Sequence, residues 1–137
     1  MKKTIYVYLR NEGVDCWRPV EARQLDEQIF RISSKPVPEE EAWAFQLHSV
    51  VLCVKRKFQN EEGFEAVKEV EILKDDTYRV ELEPNRLKIR FVIIKKDLPE
   101  VGIYLYLYDK NQKCIMDYLQ DSLEYAIDFM RSDLGIL

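Results

Sequence analysis

Histidine occurs once and cysteine three times in 137 residues, and the four glycines are scattered singly along the chain. A lone His48 leaves a Ser-His-Asp or Cys-His arrangement only one residue to be built on, and its place between Leu47 and Ser49 at a strand start reads as structural or solvent-facing. One histidine with cysteines at 16, 53 and 114 has no zinc-ligand spacing. The glycines form neither a GxGxxG nor a P-loop motif, so no nucleotide cradle is expected. The odd cysteine count without a CxxC argues against a disulfide framework. Cys53, within Val50-Val51-Leu52-Cys53-Val54, and Cys114, beside Ile115 and Met116, are expected as small buried hydrophobes, and Cys16 as the thiol to probe. Long apolar runs are missing too: none approaches the ~20 residues that span a bilayer. Two N-terminal lysines lead straight into a strand pattern rather than a leader-like segment, so a cytoplasmic location is the expectation. Carboxylates are plentiful, but sequence places no two of them across a cleft for acid and base work. The expectation is a non-enzymatic chain with no metal and no cofactor.

What is present describes a folded chain. Hydrophobic residues make up 47% and charged residues 34%, enough for one ordinary domain or two very small ones. The formal net charge of −4 suits a basic protein partner and argues against nucleic acid. Basic residues do interleave with aromatics at Lys55-Arg56-Lys57-Phe58 and over 86–96, yet outward cations on strands also block edge-to-edge aggregation, which is the reading taken here.

The first half reads as strands. Ile5, Val7 and Leu9 alternate with Tyr6 and Tyr8, Asn11-Glu12-Gly13 offers a turn, and Trp17-Arg18-Pro19 starts a second extended run. Further strands are expected over 28–32, 49–58 and 64–73, with a proline- and glutamate-rich loop over 33–41 and a turn over 60–63. Trp43 and Phe45 are positioned to tuck that loop back onto a core. The fold class expected is α+β, mostly antiparallel β: a small SH3-like barrel or bent sheet over 1–73, then a four-stranded meander with one C-terminal helix over 74–137.

In the second half, Tyr78, Val80 and Leu82 alternate with Arg79, Glu81 and Glu83. A second strand is expected over 86–96 with Leu87, Ile89, Phe91 and Ile93 inward, a third over 101–108 and a fourth over 113–118. Asp121 with Glu124 reads as a capping box; Leu123, Ala126, Ile127, Met130 and Leu134 as the buried stripe; Gly135 as the stop.

Two resemblances add to this. Val7-Tyr8-Leu9, Asn11-Glu12-Gly13 and Trp17-Arg18-Pro19-Val20 resemble the VYL-x-NEG-x-x-x-WRPV opening of a family of short bacterial proteins, which implies no established activity. The closing segment, a YLYDKN-type strand and turn, a strand, and a helix ending in Asp133-Leu134-Gly135-Ile136, resembles immunity proteins of bacterial polymorphic toxin systems. That resemblance implies a protein partner, a basic toxin domain; the apolar-run lengths and the acidic charge add the expectation of no membrane and argue against nucleic acid. The residues expected at the contact are Tyr125 and Phe129 with Asp121 and Asp128 on the helix's far face, and Tyr104, Tyr106 and Tyr108 on the sheet. The same helix face could instead pack internally, and the tyrosines could instead pair with a second copy in a homodimer or scaffold.

Overall fold

A computed structural model describes residues 2–34, 41–59, 61–96 and 102–137. Most of the acidic, proline-containing loop, Asn60 and the turn expected over 97–100 lie outside the described residues. The protein is α+β and mostly antiparallel β, and it divides into two compact units, Met1–Glu69 and Val70–Leu137.

The first unit holds β1 (Lys2–Arg10), β2 (Trp17–Asp26), β3 (Ile29–Ile32), β4 (Ala42–Trp43), β5 (Val50–Phe58) and β6 (Glu61–Glu69). In β1 the alternation works as the residue types dictate: Ile5 and Val7 are fully buried and Leu9 nearly so. They meet Val20, Ala22, Phe30, Ile32, Trp43, Val51, Cys53 and Ala66 in one apolar core. Asn11 and Gly13 both take positive φ, 63° and 77°, at the expected turn. β1, β2, β3, β5 and β6 then run up and down, each antiparallel to the one before. An odd number of such strands brings the last parallel to the first, and β6 does pair with β1 in parallel at Tyr6↔Glu65, closing the ring of pairings. β4 caps the end of β1 through Leu9↔Trp43, which buries Trp43 as expected. Residues 61–63, expected in a turn, belong to β6; Gln59, at φ 53°, takes part in the tight reversal instead.

The run expected as one strand over 64–73 breaks at Val70. Its second part, β7 (Glu71–Lys74), pairs with β8 (Thr77–Glu81) in the second unit. β9 (Phe91–Lys96), β10 (Ile103–Tyr108) and β11 (Cys114–Gln120) complete a meander of five strands rather than four. β9 is shorter than expected and its inward residues are Val92 and Ile94, not Leu87 and Ile93. The cause is Asn85, whose side chain accepts from the Ile89 N–H (3.1 Å) and donates to the Ile89 carbonyl (2.7 Å). With its polar groups so engaged and Lys88 at φ 60°, the chain over 82–90 forms a fixed loop, and the side-chain phase shifts. Cys114, expected to be buried, is exposed at the start of edge strand β11, where the pairing with β10 is irregular.

The closing helix, α1 (Leu123–Asp128), widens into a π-type turn over Phe129–Asp133. Leu123, Ala126, Ile127 and Met130 are buried as expected, and Gly135 at φ 64° lets the Ile136 N–H reach the Met130 carbonyl (2.9 Å). The cap, however, is Ser122, whose Oγ accepts from the Tyr125 N–H; Asp121 is one residue too early. Phe129 meets Tyr118 edge-on at 4.6 Å, and Tyr118 lies opposite Leu105, so the helix covers the Leu105 face of the sheet. Ser122→Ala is therefore expected to lower stability by about 1 kcal/mol, whereas Asp121→Ala changes it by less than about 0.5 kcal/mol, both read from urea unfolding.

Candidate functional site

The side of β1 that does not face the core carries Tyr6 and Tyr8, and their neighbours across the ring build an aromatic cluster. Trp17 lies opposite Tyr8 and meets it edge-on at 5.6 Å. Phe58 stacks on Tyr6 at 4.2 Å and meets Trp17 at 5.8 Å. Gly63 allows this: a Cβ there would sit 2.6 Å from the Tyr6 ring, which the Phe58 stack holds in place. The Arg56 guanidinium lies 4.2 Å from the Trp17 ring centroid and also binds Glu65 (3.1 Å), whose other oxygen accepts from the indole N–H at 2.9 Å. Tyr8 donates to Asp15 at 2.9 Å, and that bond raises the phenol pKa above its usual value. A cleft of about 710 Å³ opens beside the cluster, with Cys16 on its wall.

Arg18 points elsewhere, pairing with Glu41 through two guanidinium nitrogens. Glu41 also accepts from the Trp43 indole N–H at 3.2 Å. The guanidinium, followed by the indole, holds the Glu41 carboxyl below the ordinary carboxylate range, against the opposing effect of burial. With Pro19 opposite Tyr6 and Val20 in the core, every residue of the WRPV stretch has a structural partner.

In the second unit the helix-face residues separate. Tyr125 is 62% exposed, with Asp121 and Asp128 also exposed, while Phe129 is half-buried against Tyr118. Tyr104, Tyr106 and Tyr108 line the sheet face opposite the helix and are half-buried. Tyr104 stacks on Tyr106 at 6.0 Å, and Tyr108 stacks on Phe91 at 4.7 Å with the Arg79 guanidinium 3.9 Å above Phe91. Ile115 and Leu119 stand exposed along edge strand β11. A second cleft, of about 780 Å³, lies between the 82–90 loop and the turn at 109–112.

Burial pushes the Cys53 thiol far above its usual range. His48 is exposed, at φ 71°, with its backbone N–H on the Ile32 carbonyl. Among the described residues no three His, Cys, Asp or Glu side chains gather as a metal site, and no helix is long and apolar enough to cross a membrane. From sequence, Trp17 is placed only at the start of an extended run and the cluster around it is missed, because Tyr6, Trp17, Phe58 and Gly63 meet only through strand pairing. The period-two tyrosines of β1 were its one local sign.

Compared with family models, curated proteins and solved structures, the chain finds no match.

Gly63→Ala is expected to destabilise the protein by about 1–3 kcal/mol, and by less in a Tyr6→Ala background. Because the Glu41 pKa is depressed on folding, its contribution is complete above the unfolded value of about 4.3 and fades as pH falls through the folded one. Urea titrations of the wild type and Glu41→Gln from pH 7 to pH 2 should thus differ at neutrality and converge in acid. A constant gap across that range would contradict the assignment.

Proposed function

We propose that this protein is a non-enzymatic binding module that neutralises a bacterial toxin by covering it, acting in the cytoplasm as an immunity protein. The observation that carries the reading is the exposed face of the closing helix: Tyr125 is 62% exposed, and Asp121 and Asp128, four residues before and three after it, are exposed as well. An aromatic ring among carboxylates is suited to a basic protein surface, where it supplies apolar contact while the charges steer encounter and fix register. Occlusion needs an interface of about 1,600 Å², so the helix would be one part of a larger footprint. The similarity of the closing segment to immunity proteins points the same way. The first unit, read as an SH3-like barrel, would serve as a second recognition surface or as the support for the first.

A second reading is favoured by Ile115 and Leu119, which stand exposed on a sheet edge and suit pairing with a second copy. Sedimentation as a monomer at micromolar concentration would remove it.

The principal test is protection. Wild-type protein co-expressed with the toxins encoded beside it should restore growth against one of them. A folded Tyr125→Ala/Asp128→Lys variant should bind that toxin at least about 30-fold more weakly, the loss of one hot-spot contact. Failure of the wild type against every such toxin, or full protection by the folded variant, would refute the proposal.

A further inference from the structure

The two clefts differ in how many of their cations lack an ion pair or side-chain hydrogen bond among the described residues: Lys57 in the first, three side chains in the second. In the first unit, Arg56 is held between Trp17 and Glu65, the Trp17 indole is on Glu65, and Tyr8 is on Asp15. In the second unit, Lys88, Arg90 and Lys110 line the cleft with their side chains exposed, and among the described residues they make no ion pair or side-chain hydrogen bond. Two carboxylates, Glu83 and Asp109, line the same cleft, so its three cations leave a local excess of one positive charge. Asp109 Oδ1 accepts from the Asn111 and Lys113 N–H groups at 2.9 and 3.1 Å, and Glu83 is engaged in an interaction of its own.

The same cleft has an apolar floor of Leu82 and Leu87, with Ile115 exposed at its side. Its walls are tied by hydrogen bonds. Asn85 ties the loop to the Ile89 backbone, the Leu82 N–H bonds the Arg90 carbonyl at 2.9 Å, and the Arg90 N–H bonds the Tyr108 carbonyl at 2.8 Å. Lys88 itself is held at φ 60°, a conformation that a lysine adopts at an energetic cost. A volume near 780 Å³ falls in the range of small-molecule sites, and an apolar floor with a few convergent polar groups is their usual composition.

We propose that this cleft binds a small amphipathic anion, a carboxylate or phosphate monoester on a short hydrocarbon chain. Its headgroup meets Lys88, Arg90 and Lys110, and its chain lies over Leu82 and Leu87. The cations supply charge-assisted hydrogen bonds, the floor supplies burial, and the fixed loop reduces the ordering cost. The inference is independent of the toxin-binding reading, which uses a surface of opposite sign.

Calorimetric titration of the full chain tests it with sodium octanoate and octyl phosphate below their micelle concentrations, alongside inorganic phosphate and octanol. One or both amphiphilic anions should bind at least about tenfold more tightly than inorganic phosphate or octanol, because each control lacks one half of the recognition. Lys88→Glu/Lys110→Glu, checked by near-ultraviolet circular dichroism, should weaken binding by at least about tenfold. Should that variant not fold, amide shifts on adding the tighter anion to the wild type locate the site, and they should concentrate on residues 82–90 and 109–115. No binding of either amphiphile, equal binding of octanol, unchanged affinity in the folded variant, or shifts confined elsewhere would each overturn the proposal.

Discussion

Strand β1 has both of its edges occupied, and the first unit depends on that double pairing. One edge runs antiparallel along β2 from Lys2↔Arg23 to Tyr8↔Trp17, and the other meets β6 in parallel at Tyr6↔Glu65. Because side chains alternate with period two, this placement sends Ile5, Val7 and Leu9 inward and Tyr6 and Tyr8 outward in one stroke. A slip of one residue would put tyrosines in the core and aliphatic residues in water, so the register of the whole ring is tied to the burial of three residues. The outer aromatics reinforce the same register. The Tyr6 ring fits over the one strand position without a Cβ, and the Trp17 indole bonds to Glu65 of the strand on the far side of β1.

That second layer bears on why the proposed binding surfaces lie away from the aromatic cluster of the first unit. Polar groups that already hold protein partners gain little by exchanging them for ligand partners, since each bond formed replaces one given up. The Arg56, Glu65, Trp17 and Tyr8, Asp15 sets are of this kind. The carboxylates of the closing helix and the three cations of the second cleft have exposed side chains. In the proposed complexes, binding free energy would come from a partner of opposite sign that excludes water while apolar atoms, Tyr125 in one case and Leu82 with Leu87 in the other, are buried with it.

The features legible in the sequence are those carried by periodicity within one element. Ile5-Val7-Leu9, Tyr78-Val80-Leu82 and Leu123-Ala126-Ile127-Met130 each report their buried face through spacing alone. What was not legible depends on partners distant in sequence or on a single side chain competing for the backbone. Nothing in β6 announces that it will lie parallel to β1, because that follows from counting strands around a ring. Arg86 to Ile89 reads as strand by alternation, and only the capture of Ile89 by Asn85 turns it into a loop. Asp121 and Ser122 both suit a helix start, and one residue of backbone geometry decides between them in favour of the serine. The candidate sites follow the same division: the tyrosines and the helix carboxylates could be named from their spacing, whereas the second cleft arises from a loop that alternation had assigned to a strand.

The net charge of −4 is a sum over a surface much wider than the distance at which charges act. At physiological ionic strength exposed charges are screened beyond about 8 Å, so a partner responds to the few groups it faces and not to the total. An acidic protein can therefore present Lys88, Arg90 and Lys110 together as a site whose cations outnumber its carboxylates, Glu83 and Asp109, by one. The fixed loop matters to that outcome. Long cationic side chains on a mobile segment would spread apart under mutual repulsion, whereas Asn85 and the left-handed Lys88 fix the loop that carries Lys88 and Arg90, with Lys110 on the 109–112 turn across the cleft. The conformational cost is met in folding rather than in binding, which is the condition under which a few weak contacts can add up to selectivity.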